Sequence, residues 1–179
     1  MNRVYDFSFV IRPELRSGDK SGCQGLVSLP NANLDRALND NQDNLTVIEC
    51  SSMEPSDGAA DYVCDNNPDT FWHTRWRVTQ GKYPHSLTFD AKRERNLKGL
   101  WCLGRGDGTR NGRVKNYSVE TSLDGKTWTQ VASGILKNTA EQQDIRFGKT
   151  VRARYIRFRA ESEHFGQDYA SMAEIGLIE

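Results

Sequence analysis

The chain has 179 residues, with 24 basic and 24 acidic side chains and a formal net charge of zero. This length supports one well-buried domain with a short extension, and the balanced charge gives no global field that would attract nucleic acid or an anionic membrane. The N-terminus lacks the apolar run of a signal peptide, and no window approaches the ~18 apolar residues of a membrane span. We therefore expect a soluble protein with neutral partners.

Residues 1–40 differ in pattern from the rest of the chain. One strand is predicted by aromatic residues that alternate with polar ones, namely Tyr5, Phe7 and Phe9. A second short strand is predicted at Leu26–Leu29, and a helix of about two turns by the spacing of Leu34, Ala37 and Leu38. We interpret residues 1–40 as an N-terminal extension or the remnant of an upstream domain, and residues 41–179 as the main domain.

From residue 45 onward, short candidate strands alternate with turn residues. The eight candidates are Thr46–Glu49, Ser86–Phe89, Leu97–Leu103, Tyr117–Thr121, Trp128–Val131, Asp144–Phe147, Tyr155–Ala160 and Ala173–Ile178. The Asp124-Gly125 pair predicts a tight hairpin turn, and the arginines that alternate with apolar residues after Tyr155 predict a strand with one solvated face. No helix longer than three turns is indicated here. The predicted fold class is therefore all-β, an antiparallel β-sandwich.

The segment Asp65–Trp76, DNNPDTFWHTRW, contains candidate cation ligands. Asp65, Asn67 and Asp69 lie two residues apart, so their oxygen atoms can converge in a tight loop on a hard cation. The segment departs from an EF-hand loop, because it lacks the central glycine and the final glutamate of that motif. The missing carboxylate must come from a distant part of the chain, and Glu174 is the candidate. The alternative is an Asx-rich turn without an ion.

Two further groups of residues predict a ligand site. His73 and Trp76 pair a hydrogen-bonding imidazole with an aromatic face, which matches the hydroxyl groups and C–H face of a sugar. The alternative places Trp76 in the core and His73 on the surface as a bystander. In the glycine-rich loop 104–113, Arg105 and Asn111 lie at the end of a predicted strand, where sandwich folds carry binding loops. The alternative is a solvated hairpin loop.

Catalytic signatures are not found in the sequence. It has no GxSxG and no HExxH motif, and no cysteine has a histidine partner nearby. The glycines after Leu103 precede a strand-like segment and not a helix, which argues against a nucleotide-binding loop. The Arg105-Gly106-Asp107 triplet spells a cell-adhesion tripeptide, which a glycine-rich loop also produces by chance. We predict that the protein is not an enzyme.

Three blocks of the sequence carry a resemblance to a known family. They are DNNPDTFWHTRW, LWCLGRGDGTRNGRVKNYSVETSLDGKTWTQV and ARYIRFRAESEHFGQDYASMAEIGL. Together they resemble the coagulation factor five/eight type C (discoidin-like) domain, and in particular its bacterial branch, carbohydrate-binding module family thirty-two, from about Leu45 to Ile178. The resemblance implies a jelly-roll sandwich with a structural calcium and a shallow sugar site at one end. It also implies an attached glycoside hydrolase or other domain and an extracellular, cell-surface or periplasmic location.

The resemblance also implies a role for individual residues. The implied calcium ligands are the side chains of Asp65 and Thr70, a ligand atom of Asn67, a backbone carbonyl near Tyr62, the carbonyl of Ala173 and the carboxylate of Glu174. The implied site for a terminal galactose-type sugar consists of His73, Trp76, Arg105 and Asn111, with Tyr169 or Phe165 as a second aromatic wall and Glu54 as a further acceptor. Asn66 stands where the family has Gly, and Asn is the residue that best tolerates a left-handed backbone after Gly.

The sequence thus predicts a non-catalytic, glycan-binding module with a structural calcium. Two alternatives remain at this point. One is a protein- or lipid-binding adhesion domain of the discoidin type, although the balanced charge does not favour membrane docking. The other is a structural accessory domain of a glycoside hydrolase that binds no glycan.

Overall fold

The computed structural model describes residues 45–77 and 81–179, which form eight strands. They are β1 (Thr46–Cys50), β2 (Trp72–His73), β3 (His85–Leu103), β4 (Asn116–Ser122), β5 (Thr129–Ile135), β6 (Gln142–Ala160), β7 (Ser171–Met172) and β8 (Glu174–Ile178). Five strands lie in the order β1-β3-β6-β4-β5 with β8 paired to β3, and β2 pairs separately with β7. All these pairings are antiparallel. The predicted all-β sandwich is confirmed, whereas the elements predicted within residues 1–40 lie outside the described residues.

Strands β3 and β6 form the centre of both layers. Each is 19 residues long, and they pair along their length with register shifts after Asp90 and Leu97. The first half of β3 pairs with β1, and its second half pairs with β8. The prediction of two separate strands in each of these regions is therefore wrong, because irregularities in one long strand bend it without ending it.

The core lies between the layers and follows the predicted alternation along β6. Ile156, Phe158 and Ala160 are fully buried, while Arg157 and Arg159 between them are only partly buried. The outward arginines each meet an acid, in the pairs Arg152–Glu94, Arg154–Asp90, Arg157–Glu120 and Arg159–Glu161. Within the described ranges, no helix has the length and apolar character needed to cross a membrane.

The connection between β4 and β5 differs from the predicted tight turn. Thr121 pairs with Thr129, which leaves a long loop, and Gly125 is the residue of the Asp124-Gly125 pair with a left-handed φ, at +70°. The Asp124 carboxylate accepts bonds from the N–H groups of Lys126 and Thr127 at 2.8 and 2.7 Å. These bonds hold the pKa of Asp124 well below its usual range. The side chain therefore stabilises a longer loop than two residues.

Candidate functional site

The short pair of β2 and β7 brings three loops to one end of the sandwich. His73 pairs with Ser171, and Thr74 bonds Ala170 twice, through its N–H at 2.9 Å and through its hydroxyl oxygen at 3.0 Å. The Gly112 carbonyl accepts the Ser171 N–H at 2.7 Å. Gly112 has φ +73°, and a Cβ there would lie 2.9 Å from the backbone of Ala170. Only glycine therefore allows this close approach of the 104–113 loop.

A shallow depression of about 200 Å3 lies where these loops meet. Its lining residues are His73, Trp76, Arg105, Thr109, Asn111 and Tyr169. Five of the seven sugar-site candidates thus lie together, although they come from segments almost 100 residues apart. Phe165 and Glu54 do not line the depression. Thr109 was missed, but the Asp107-Gly108-Thr109 sequence is an Asx-turn signature, and Asp107 does accept the Thr109 N–H at 3.2 Å.

His73 lies at the base of the depression with its ring orientation fixed. Its side chain is buried, and Nδ1 lies 2.6 Å from the carbonyl oxygen of Thr74. Because a carbonyl can only accept, Nδ1 carries the proton and Nε2 is an acceptor in the neutral ring. Burial lowers the pKa of His73, which favours this neutral form. The rings of Trp76 and Tyr169 lie 4.5 and 5.4 Å from the imidazole, centre to centre.

Arg105 is also buried and fixed. Its guanidinium lies 3.9 Å from the centre of the Phe71 ring and bonds both carboxylate oxygens of Asp107, with 2.9 Å from Nε to Oδ1. Burial raises the pKa of Asp107, but the bonds from Arg105 and Thr109 outweigh it, so the pKa lies below its ordinary value. The Arg and Asp of the adhesion-like tripeptide therefore pair with each other. Phe71, which packs against the buried Trp101 and Leu103, supports this arginine.

Glu54 supports the segment that carries Trp76. Its carboxylate is buried, and Oε2 accepts the N–H groups of Trp76 and Arg77 at 3.2 and 3.3 Å. The Arg77 guanidinium lies 4.0 Å from the other oxygen. Phe165, the other predicted residue outside the depression, is half exposed, and its N–H donates to Glu163 at 2.8 Å. The second aromatic wall of the depression is Tyr169.

A separate cluster of oxygen atoms forms around Asp65, next to the 3-10 helix Ala60–Cys64. The Thr70 hydroxyl lies 2.8 Å from a carboxylate oxygen of Asp65 and 2.8 Å from the carbonyl oxygen of Asn67. One hydroxyl proton cannot satisfy both acceptors. Asn66 has φ +64°, so the predicted left-handed backbone is confirmed at this position.

Glu174 joins this cluster from the start of β8. It is fully buried, and its carboxylate makes no hydrogen bond of good geometry with the described residues, although the N–H groups of Asn66 and Asn67 lie close enough to interact with it. Burial raises the pKa of Glu174 to about 9, and the nearby Asp65 carboxylate adds to the shift, while the N–H groups of Asn67 and Asn66 oppose it. A buried carboxylate without a donor is costly unless a cation compensates it.

The donor set suits calcium. The described residues contain no group of three or more His, Cys, Asp or Glu side chains placed to hold a metal. Two carboxylates with hydroxyl, amide and carbonyl oxygens are instead the ligands that calcium prefers. The other two ligand candidates lie on the adjoining segments, Tyr62 in the 3-10 helix and Ala173 directly before Glu174.

A comparison with family models matches residues 47–175 to the F5/8 type C domain. The relatives include a sialidase of Micromonospora viridifaciens, 38% identical over 138 residues, and a galactose oxidase of Gibberella zeae, 37% identical over 134 residues. The matches cover 75% and 74% of this chain but 21% and 19% of those proteins. The chain thus spans about a fifth of the length of the curated relatives it matches.

Three of the similar solved structures are family 32 modules of Clostridium perfringens. CBM32-3 from a family 31 glycoside hydrolase has a TM-score of 0.69 and 30% identity, and the match covers 76% of this chain and 92% of that one. CpGH89CBM32-5, described in complex with GalNAc-beta-1,3-galactose, has a TM-score of 0.71 and 22% identity, with 78% and 98% covered. The family 32 module of NanJ, in complex with galactose, has a TM-score of 0.68 and 24% identity, with 78% and 96% covered.

The fold and the site together define a class of module: a β-sandwich with a polar, aromatic-walled depression at its loop end. The chain belongs to the F5/8 type C domain family, in its carbohydrate-binding module family thirty-two branch.

Proposed function

We propose that this chain is a non-catalytic carbohydrate-binding module that holds a terminal galactose-type sugar in the depression. The observation that carries the proposal is the neutral His73 beside the fixed Arg105, with the Trp76 ring against the imidazole. Nε2 of His73 accepts a hydroxyl proton, while the guanidinium of Arg105 donates to hydroxyl oxygens. An axial hydroxyl suits such a pair of one acceptor and one donor.

The other lining residues complete a surface for one sugar ring. The Trp76 indole stacks on the C–H face of the pyranose, and Tyr169 forms the opposite wall. Asn111 both donates to and accepts from the ring hydroxyls. A monosaccharide has about 12 heavy atoms, and about 0.3–0.5 kcal/mol for each gives a Kd between about 1 mM and tens of μM. Useful targeting then depends on multivalency or on attachment to another domain, such as a glycoside hydrolase.

We also propose that calcium occupies the cluster around Asp65 and Glu174. Side chains of Asp65, Asn67, Thr70 and Glu174 hold the ion together with the carbonyl groups of Tyr62 and Ala173. The ion would compensate the combined charge of the Asp65 and Glu174 carboxylates, whose mutual effect raises the pKa of Glu174. It thereby ties the loop before His73 to the last strand, so its loss loosens the sugar site before it unfolds the core.

Titration calorimetry with galactose and with GalNAc, together with a glycan array, tests the proposal. Trp76→Ala abolishes binding, whereas Trp128→Ala leaves it unchanged, because Trp128 lies against Arg157 away from the depression. Liposome binding without glycan binding would instead support the lipid-binding alternative. The absence of any glycan ligand for the wild-type protein would support a purely structural domain. The proposed function places the protein outside the cell, on its surface or in the periplasm.

A further inference from the structure

The loop that carries Tyr169 covers residues 161–170, between β6 and β7. Tyr169 lines the depression, and its ring lies 5.4 Å from the His73 imidazole, centre to centre. Its side chain makes no hydrogen bond with any described residue. The position of this aromatic wall therefore depends on how the backbone of residues 168 and 169 is held.

Three side chains at and just before the start of β3 bond this part of the loop. The Tyr83 hydroxyl donates to the carbonyl oxygen of Tyr169, and Nε2 of His85 lies 2.9 Å from the carbonyl oxygen of Asp168. The Lys82 ammonium lies 3.0 Å from the Asp168 carboxylate. We call Lys82, Tyr83 and His85 the brace. Its members reach two consecutive residues that lie 83 to 86 positions further along the chain.

The protonation states of Tyr83 and His85 suit donation to carbonyl groups. A carbonyl oxygen can only accept, so Nε2 of His85 carries the proton. His85 is buried, and this burial lowers its pKa and favours the neutral ring. Burial raises the pKa of Tyr83, so its hydroxyl keeps the proton that it donates. The two rings lie 4.8 Å apart, centre to centre, so each limits the movement of the other.

The members of the brace differ in their contact with solvent. His85 is buried and Tyr83 is partly buried, whereas the Lys82 side chain is 85% exposed. A hydrogen bond shielded from water restrains a loop more than an ion pair in solvent does, because water competes for the charges of the pair. The phenol and the imidazole therefore hold the backbone, and Lys82 contributes little.

The loop on either side of residues 168 and 169 is fixed independently of the brace. After them, Ala170 is bonded to Thr74 through both its N–H and its carbonyl group. Before them, Oε1 of the buried Glu163 accepts the N–H groups of Phe165 and Gln167 at 2.8 and 2.6 Å. Loss of the brace would thus loosen the short segment that carries the Tyr169 ring and leave its surroundings in place.

We propose that Tyr83 and His85 are positioning residues for sugar binding, which hold Tyr169 in place as a wall of the depression although they do not line it. The inference rests on the proposed function, because it assigns these two side chains a role in the affinity of that same site. The brace does for Tyr169 what the Glu54 carboxylate does for Trp76. Each aromatic wall is thereby fixed through its backbone by a side chain from another segment.

Titration calorimetry of the 179-residue chain with galactose and saturating calcium tests the role of Tyr83. Tyr83→Phe removes the hydroxyl and keeps the ring, so we expect binding to weaken by about 3- to 10-fold. Lys82→Ala, at the exposed end of the brace, should change the Kd by less than about twofold. Tyr117→Phe should also bind as the wild type does, because Tyr117 is a partly buried tyrosine stacked on Phe158 in the core.

A double-mutant cycle with Tyr169 separates positioning from a general loss of structure. Tyr169→Ala removes the wall itself, so Tyr83→Phe should change the affinity by less than about twofold in that background. An equal weakening by Tyr83→Phe with and without the Tyr169 ring would overturn the proposal.

Two substitutions of His85 test the second bond. His85→Gln retains an N–H donor close to the place of Nε2, so it should bind sugar as the wild type does. His85→Leu removes the donor and should bind more weakly, by about 3- to 10-fold. Equal affinities of the two variants would show that the bond to Asp168 has no part in positioning.

Hydrogen exchange without sugar tests the brace independently of the ligand. Amides of residues 166–169 should exchange at least about threefold faster in Tyr83→Phe than in the wild type, with unchanged protection in β3 and β6. Wild-type affinity of Tyr83→Phe for galactose would overturn this inference and leave the proposed function standing. If the wild-type protein bound no sugar, the proposed function would fail, and this inference with it.

Discussion

Two polar clusters at the loop end of the sandwich differ in how their charges are compensated. At the depression, Arg105 bonds Asp107, and Glu54 behind it accepts the backbone N–H groups of Trp76 and Arg77. In the cluster around Asp65, the Glu174 carboxylate is buried beside a second carboxylate, and the nearby N–H groups of Asn66 and Asn67 make no hydrogen bond of good geometry to it. The charges of the first cluster are compensated by the protein itself. Its remaining hydrogen-bond donors and acceptors are therefore available to the neutral ligand that we propose. We propose that a cation compensates the second cluster.

This difference shows how burial can predict the charge of a ligand. A buried group with its partners in place costs little and keeps its geometry, whereas a buried carboxylate without a partner either takes up a proton or binds an ion. The raised pKa of Glu174 and the lowered pKa of His73 have the same cause, which is burial of the charged form. The following changes separate the two clusters, beginning with the largest expected effect.

Glu174→Gln should abolish the response to calcium. With calcium well above its Kd, the wild-type melting temperature should rise by roughly 10 °C, and the variant should show no rise, because a neutral amide cannot replace a carboxylate ligand. Without calcium, the variant should be at least as stable as the wild type, since Gln imitates the protonated acid. Asp69→Asn, an exposed change in the same loop, is the control. If calcium raised the melting temperature of Glu174→Gln and of the wild type equally, the cluster around Asp65 would not be the calcium site.

Arg105→Ala should weaken sugar binding by about 10- to 100-fold. The change removes a charged donor to the ligand and leaves Asp107 without its partner. The calcium-dependent melting shift should stay at the wild-type value, which distinguishes the two clusters. Arg110→Ala, at an exposed position of the same loop, should change the Kd by less than about twofold. Calorimetry with galactose measures both, and equal affinities for the two variants would contradict the assignment of Arg105.

Glu54→Gln should weaken sugar binding by about 3- to 10-fold, because its bonds to the N–H groups of Trp76 and Arg77 lose their charge assistance. The indole then loses part of its fixed position. Asp57→Asn, which affects only the exposed pair with Arg77, is the matched control. If Glu54→Gln bound sugar with wild-type affinity, the Glu54 carboxylate would not be what positions Trp76.

The affinity for sugar should depend on pH only under acidic conditions. Since burial lowers the pKa of His73, its Nε2 remains an acceptor at pH 6.5, and binding is lost as the pH falls through this lowered pKa. Titrations between pH 8 and 5 with saturating calcium should therefore be flat above pH 6.5. If the loss of sugar affinity had its midpoint at pH 6.5 or above, the His73 imidazole would be in contact with solvent.

The residue types of the site were predictable from the sequence, but their partners were less so. The candidate calcium loop and the His73 to Trp76 spacing are local patterns, and the left-handed backbone of Asn66 was expected because the family that the sequence resembles has Gly at this position. The role of Glu54 depends on a contact with amides 22 residues away, and Thr109 on the folding of its loop. The two-residue strands β2 and β7 have too few residues for an alternation pattern, so they become visible only when paired.

The predicted strand boundaries were wrong for a related reason. Irregularities within β3 and β6 resemble chain ends in the sequence, yet pairing with each other continues through them. In the β4–β5 connection, Asp124 has the composition of a tight turn, but its carboxylate binds the N–H groups of Lys126 and Thr127 and enlarges the loop. Local residue type therefore predicted that a turn occurs, and the hydrogen bonds of one side chain determined its length.

The row of arginine–acid pairs on the outer face of β6 affects how the module approaches its targets. Each guanidinium along Arg152–Arg159 is matched by a carboxylate, and the whole chain has no net charge. Encounter with a polyanionic matrix, such as mucus or a cell wall, is then neither accelerated nor repelled at long range. Non-specific attraction to such a matrix should hence change little with ionic strength when the calcium concentration is held constant.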